Sequence, residues 1–517
     1  MGFVRLLVAA APLAVLLGGI VWLRWRAYRA AALAWLVAVG GAAAFFGAGP
    51  PLLAAASAKG LSLALLVMLI VWAAVFLYSL MHDLGAVAAI AARLIGSTRD
   101  PMLLPLLLGW SFAGFIQGIA GFGVPVTILT PLLLLAGLSP VRAVAAAMIG
   151  PTWAITFGSM GSSFYAIRLV TGLDERVLGP ALALLGLVPV FATGVSVVHI
   201  AGGWPAVRRL WPLVLVAAVV MVVVMWGLTE IGAAALASML AGLAGSLVVW
   251  GAGLAMGVGG LVDHRAARSG ERLSLGWALL PYLVLTILSI AAQLPLLKRS
   301  VAALHFALSY PAQTTSLGLA VQPSSAYAPI QLVGHPAPLL LLSALILVLV
   351  FKRRGLWKVG ALGRAWRATV QQTTGTTVGV GLMVMMALVV TDSGMAAMLA
   401  QGAAALGGAP YLVASPFVGA FGAFATGSST NSNVMFGPLQ LYAAHALAIS
   451  PVLVAAAQTL GGATGSGVAP DKALIGVSVV GQGLREGDVM RQALPYALVI
   501  VLLIGLEALL VSAMWAP

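Results

Sequence analysis

Residues 423–433 read AFATGSSTNSN, and from Thr426 to Asn433 no side chain is apolar. The run sits in a chain of 517 residues that is 62% hydrophobic and only 7% charged. Soluble domains carry about 25% charged residues. Many apolar stretches here reach the 18 or more residues that cross a hydrocarbon core of about 30 Å. The composition excludes a string of soluble domains. It predicts an all-α polytopic membrane protein of about 12–14 membrane segments, re-entrant ones included. The 61 glycines fit that class, because small residues let membrane helices approach closely. With no cysteine in the chain, disulfides, thiol chemistry and Cys-based metal sites are excluded.

The apolar spans are expected at residues 6–23, 30–49, 61–81, 178–200, 210–228, 233–262, 275–294, 337–351, 375–390 and 494–514, with interrupted apolar regions at 101–161 and 410–467. The first span is read as retained, because RWRAYR follows it with no cleavage signal. The net charge of +14 lies in short loops, which points to orientation and lipid head groups, not to nucleic acid. Arg24, Arg26, Arg29, Arg93, Arg99, Arg208, Arg209, Arg265, Arg268, Arg272, Lys352, Arg353, Arg354, Lys358, Arg485 and Arg491 are expected on the cytoplasmic side. The spans thread between these loops if the N-terminus is outside. Residues 101–136 must then enter and return on the cytoplasmic side, and residues 410–448 on the outer side. The polar connection 302–335 would lie outside.

An internal repeat supports that arrangement. DLGAVAAIA from Asp83 resembles DSGMAAMLA from Asp392, 309 positions on. At the same offset Pro101 meets Pro410, Phe112 meets Phe421, Phe115 meets Phe424 and Gly118 meets Gly427; after a two-residue slip Ser139-Pro140-Val141 meets Ser450-Pro451-Val452. Loop charges place the two units in opposite orientations. An inverted repeat with interrupted segments at matching positions marks a transporter's binding site. The expected organisation is N-terminal spans 1–60, a first repeat unit 61–165, intervening spans 166–368, a second unit 369–470, and a loop with a last span 471–517.

The polar run now has a reason. Hydrocarbon offers broken backbone no partner, so it is tolerated only inside protein or beside a water-filled cavity. Helix N-termini beyond the two hairpin tips would present N–H groups and positive dipole ends to an anion. The expected substrate site comprises Gln117, Gly118, Gly121, Gly123 and Thr127 from the first hairpin. Thr426, Gly427, Ser428, Ser429, Thr430, Asn431 and Asn433 come from the second. Thr152, Thr156, Ser159, Thr464 and Ser466 could complete the cavity. Arg142 is read as a cytoplasmic anchor and Asp471–Lys472 as a paired loop charge. Asp83 and Asp392 are coupling-ion candidates, with helix capping as the plainer reading. The six histidines show no metal-ligand spacing. HExxH, P-loop and nucleophile-elbow patterns are missing, and GIAGFG follows no strand. The chain is therefore expected to be no enzyme and to need neither cofactor nor metal.

At GIAGFGVPV (118–126), SPFVGAFGAFATGSSTNSNVMFG (415–437), AAQTLGGATG (456–465) and LREGDVMRQALP (484–495) the sequence resembles the lactate permease family. These are bacterial carriers of L-lactate, glycolate and related 2-hydroxymonocarboxylates. The resemblance runs from about residue 61 and is specific at the two hairpins. It implies secondary transport of a small organic anion with a co-transported proton (or sodium ion), in a bacterial inner membrane, the substrate lying between inverted hairpin units. Oligomeric state is left open. Family members usually carry Glu at the position of Gln117, TGSNTVSN at 426–433, and Asn-Thr near Gly150-Pro151-Thr152. Losing the acid at 117 either abolishes proton coupling or moves it to Asp392 or another group. A carrier of a dicarboxylate or sulfonate, a passive channel, and a non-transport membrane subunit are the alternatives. Buried basic residues at the tips would favour a dianion, and the sequence shows none there.

Overall fold

A chain this apolar satisfies its peptide groups within its own segments, and helices dominate the computed structural model. It describes residues 2–514 apart from positions 88, 91–97, 99, 122, 259–272, 293, 295–304, 332–334, 405–407 and 482. Arg93, Arg99, Arg265, Arg268 and Arg272, expected in cytoplasmic loops, lie outside the described residues, as does the start of the polar connection at Ala302.

Among the described residues ten helices are long and apolar enough to cross a membrane. They are Gly2–Val21, Ala27–Phe45, Pro50–Leu84, Glu175–Glu230, Ala234–Ala255, Leu275–Ala292, Pro336–Arg353, Ala361–Asp392, Pro451–Val480 and Glu486–Met514. A pair bent by 51°, Pro140–Ile155 and Gly158–Thr171, makes an eleventh. Two hairpins of shorter helices stand where re-entrant segments are expected. Hairpin 1 is Leu103–Ile119 with Val124–Leu135, and hairpin 2 is Tyr411–Thr426 with Ser429–Ala446. Glu175–Glu230 would be roughly 84 Å long if straight. It breaks at Gly203, beside the expected Arg208/Arg209 loop. The polar connection holds the few strands: β1 (His305–Tyr310), β2 (Gln313–Thr314), β3 (Ala320–Val321) and β4 (Ser324–Gln331). β1 pairs antiparallel with β4, and β2 with β3.

The two helices that end in the sequence-matched aspartates pack against each other along their length. Pro50–Leu84 and Ala361–Asp392 run antiparallel: Lys59 meets Asp392 at one end (3.1 Å), and Arg364 meets Asp83 at the other (2.7 Å). Between them Trp72 Nε1 donates to Thr377 Oγ1 at 2.9 Å. Gly60 permits the crossing, since a Cβ there would stand 2.5 Å from Met385 Cα. This pair is the scaffold. Leu65, Leu345, Leu349, Leu498 and Leu502 are exposed, as lipid-facing side chains should be. The hairpins and broken helices pack inside, and Pro451–Val480 is the most enclosed span of all.

Candidate functional site

Both hairpin tips and one broken helix line a single cavity. Its walls include Gln117 and Gly121 of hairpin 1, Gly427, Ser428, Ser429 and Thr430 of hairpin 2, Ile155–Ser163 residues of the bent pair, and Ser466 and Lys472. It holds about 40 Å³ of free space, the scale of a few waters, so it suits a ligand of few heavy atoms.

Tip 2 follows from its residues. Gly427 adopts the left-handed conformation (φ +71°) that ends the Tyr411–Thr426 helix. A Cβ there would come within 2.8 Å of the Asp471 carboxylate. Ser428 is extended and caps the next helix, its Oγ accepting from the Asn431 N–H at 3.3 Å. The first turn, Ser429 and Thr430, thus faces the cavity with its N–H groups and the positive end of the helix. Thr426 Oγ1 folds back to the Gly422 carbonyl at 2.8 Å. Beneath the tip a buried polar chain holds the hairpin against Pro451–Gly467. Gln440 Nε2 donates to Gln458 Oε1 (2.9 Å), Gln458 Nε2 to Ser432 Oγ (3.2 Å), and Ser432 Oγ to the Gly419 carbonyl (2.7 Å).

Tip 1 is tighter. Leu103–Ile119 stops at the extended Ala120, and left-handed Gly123 starts Val124–Leu135. Gly121 lies against the Ser159 hydroxyl. Gly118 lines nothing: it sits on the Met239 backbone, where a Cβ has no room. Gly123 faces Ile475. Thr127 points elsewhere, into a separate chamber described below.

The third wall is strained. Ser159 (φ 48°, ψ 49°), Met160 (55°, 41°) and Gly161 (80°, 15°) are three successive left-handed residues inside a helix. For non-glycine residues that conformation costs roughly 1–2 kcal/mol each, and such strain gathers at functional sites. The break brings Ser159, Ser162 and Ser163 to the cavity. Ser163 Oγ is 2.7 Å from Ser429 Oγ, and Asn433 Nδ2 donates to the Ser163 carbonyl (3.1 Å) and hydroxyl (3.0 Å). Asn431 and Asn433 are buried behind the lining, each with its side-chain carbonyl oxygen unpartnered among the described residues. Of the other expected hydroxyls, Ser159 and Ser466 line the cavity. Thr152 and Thr464 bond their own helices' carbonyls. Thr156 is buried with its Oγ1 unpartnered among the described residues. Arg142 stays exposed on its helix.

Lys472 is the residue that the sequence reading placed wrongly. It is no loop charge: it is 5% exposed and lines the cavity. Its Nζ donates to the Gly427 carbonyl at 2.9 Å and the Ser466 carbonyl at 2.8 Å, with the half-exposed Asp471 carboxylate 3.8 Å away. The signal was present in GSGVAPDKALIGV, where one cation stands between two apolar helical runs with no loop-sized polar stretch around it. Asp83 and Asp392 do not line this cavity. Each is held by a cation on the opposite scaffold helix, so the cap expected of Asp83 is an ion pair instead. Gly85 ends that helix.

The sequence model described as L-lactate permease matches residues 5–515. The L-lactate permease of Salmonella typhimurium (strain LT2) is 28% identical over 465 residues, 84% of this chain and 82% of its own length. The glycolate permease GlcA of Escherichia coli (strain K12) is 29% identical over 492 residues, 85% and 83% of the two chains. The crystal structure of the Alcanivorax borkumensis YdaH transporter superposes with a TM-score of 0.47 at 15% identity, over 90% of this chain and 88% of that one.

Proposed function

The chain belongs to the L-lactate permease family, and from that premise we propose that it imports a small 2-hydroxymonocarboxylate, lactate or glycolate, by proton symport across a bacterial inner membrane. The observation that carries the reading is the buried Lys472 ammonium at the meeting point of two hairpin tips. Two of its donors hold main-chain carbonyls; the third makes only a long contact of 3.4 Å to Ser466 Oγ, which a carboxylate would replace, beside the first-turn N–H groups of Ser429 and Thr430. The Ser159, Ser163 and Gln117 side chains are positioned for the substrate's hydroxyl. One cation rather than two matches a monoanion, so a dicarboxylate fits less well.

Charge balance supports coupling to a proton. Asp471 and Lys472 form an ion pair beside the empty site. A bound carboxylate adds one negative charge, and a co-transported proton offsets it. The loaded and the empty site then both cross the bilayer without net charge, avoiding about 2.3 kcal/mol per charge per 100 mV. Asp83 and Asp392 serve the scaffold in this scheme. The antiparallel scaffold helices support an inverted repeat whose two units expose the tips to either side in turn.

The test is uptake into proteoliposomes across a panel of carboxylates under imposed pH or sodium gradients. Lactate or glycolate accumulation driven by an inward proton gradient is expected. No uptake of any 2-hydroxy acid under either gradient would overturn the assignment.

A further inference from the structure

Thr127, expected at the tip, lies instead on the wall of a larger chamber. This cavity of about 350 Å³ sits between the scaffold pair and the second helix of hairpin 1, with Ser79, His82, Asp83, Thr127, Arg364 and Gln372 on its walls. It lies one helical turn from tip 1: Thr127 Oγ1, on its wall, donates within its own helix to the Gly123 carbonyl at 3.2 Å. Its polar groups are not all engaged. Ser79 Oγ is buried and has no partner among the described residues. Arg364 grips Asp83 through Nε (2.7 Å) and Nη2 (2.9 Å), yet its side chain is 47% exposed.

The internal repeat supplies a control. A shift of 309 positions carries Tyr78 to Ala387 and His82 to Thr391. Ala387 and Thr391 line a counterpart cavity with Met386, Met435 and Leu439, but this one holds about 10 Å³ and is mostly apolar. The cation at that end, Lys59, is buried against Asp392. The volume and polarity at the Asp83 end are therefore not a by-product of helix packing shared by both units.

We propose that this chamber is a second anion site, a transit station in which Arg364 holds the substrate carboxylate on its way to or from the tips. A carboxylate presents the same two oxygens to the guanidinium fork as Asp83 does, so it exchanges one bidentate pair for another. Arg364 is half-exposed, and the displaced Asp83, 19% exposed, keeps a neighbouring cation in Lys358, whose Nζ donates to the Asp83 main-chain carbonyl at 2.7 Å. Ser79 and Thr127 supply hydroxyls for the remaining polar atoms of the guest. This inference rests on the carrier reading, and the experiment separates the two.

The chain has no cysteine, so a single introduced thiol reports its own surroundings. Ala368→Cys, on the chamber wall, and Ser428→Cys, at the tip, are labelled in proteoliposomes with a membrane-impermeant maleimide at rising L-lactate or glycolate. Both thiols are expected to be protected. Adding Arg364→Gln should raise the half-protecting concentration at Ala368→Cys about tenfold and change that at Ser428→Cys by no more than about twofold. Asp83→Asn, which frees the guanidinium, should lower the value at Ala368→Cys and keeps the test decisive if Arg364→Gln does not fold. Protection at Ser428→Cys with none at Ala368→Cys, or protection at Ala368→Cys that neither substitution moves, overturns the second site and leaves the carrier reading standing. Protection at neither position overturns both.

Discussion

Gly427 and Lys472 carry the account at the residue scale. Gly427 holds φ +71° with the Asp471 carboxylate 2.8 Å from where a Cβ would be. Gly427→Ala should therefore cost more than the roughly 1 kcal/mol of backbone strain alone, and lower the melting temperature in detergent as well as uptake. A variant that melts and transports like the parent would remove the tight tip from the mechanism. Asn433→Leu should abolish uptake while inserting normally, because it cuts the two bonds that lock the broken helix to hairpin 2. Transport at the parent's rate would exclude that lock. The eight-residue polar run was readable as a hairpin tip because lipid offers broken backbone no partner. Lys472 was harder to read: GSGVAPDKALIGV marks it as a cation between apolar runs, but an Asp-Lys pair after a proline looks the same in sequence whether it faces water or a cavity. Only the packing of Pro451–Gly467 against hairpin 2 decides which.

The scaffold helices can be tested as elements. Lys59 and Asp392 form a largely buried pair, so removing one partner strands a charge. Lys59→Met should destabilise by about 3–5 kcal/mol, and Lys59→Met with Asp392→Leu should recover much of it. A double-mutant cycle of detergent melting checks this. Additive losses would mean the pair is not coupled in the folded protein. Another ion pair joins Asp100, outside the spans, to Arg209, near the Gly203 break in Glu175–Glu230. Burial alone would raise the Asp100 carboxyl, but the Met102 N–H, Arg209 and the Leu103 N–H outweigh it and hold it below its ordinary value. A depressed folded value means the stabilisation is full above the ordinary carboxylate range and fades as pH falls through the folded value, below about pH 4. The melting difference between parent and Asp100→Asn should close over that window. A difference that persists unchanged at pH 3 would assign it to something other than ionisation. The number of apolar helices was legible because length and hydropathy set it. The β1–β4 ladder was not, since nothing in a polar connector separates a short hairpin from a loop until its strands pair.

For the whole molecule, the repeat matches and loop charges predict two oppositely mounted units, and the helices that end near Asp83 and Asp392 pack antiparallel. Sequence symmetry could not foretell how unequal the two halves are: a polar chamber of about 350 Å³ at one end of the scaffold and an apolar one of about 10 Å³ at the other. Two units related by sequence but caught in different packings are what alternating access requires. All of this depends on the tip cavity holding one small monoanion on Lys472. Calorimetric titration of L-lactate or glycolate into the detergent-purified chain and its Lys472→Gln variant measures that directly, with no gradient or membrane side involved. Loss of one charge-assisted contact at a buried site predicts binding weakened at least about tenfold, or lost, in the variant; equal affinity in the two proteins would contradict it.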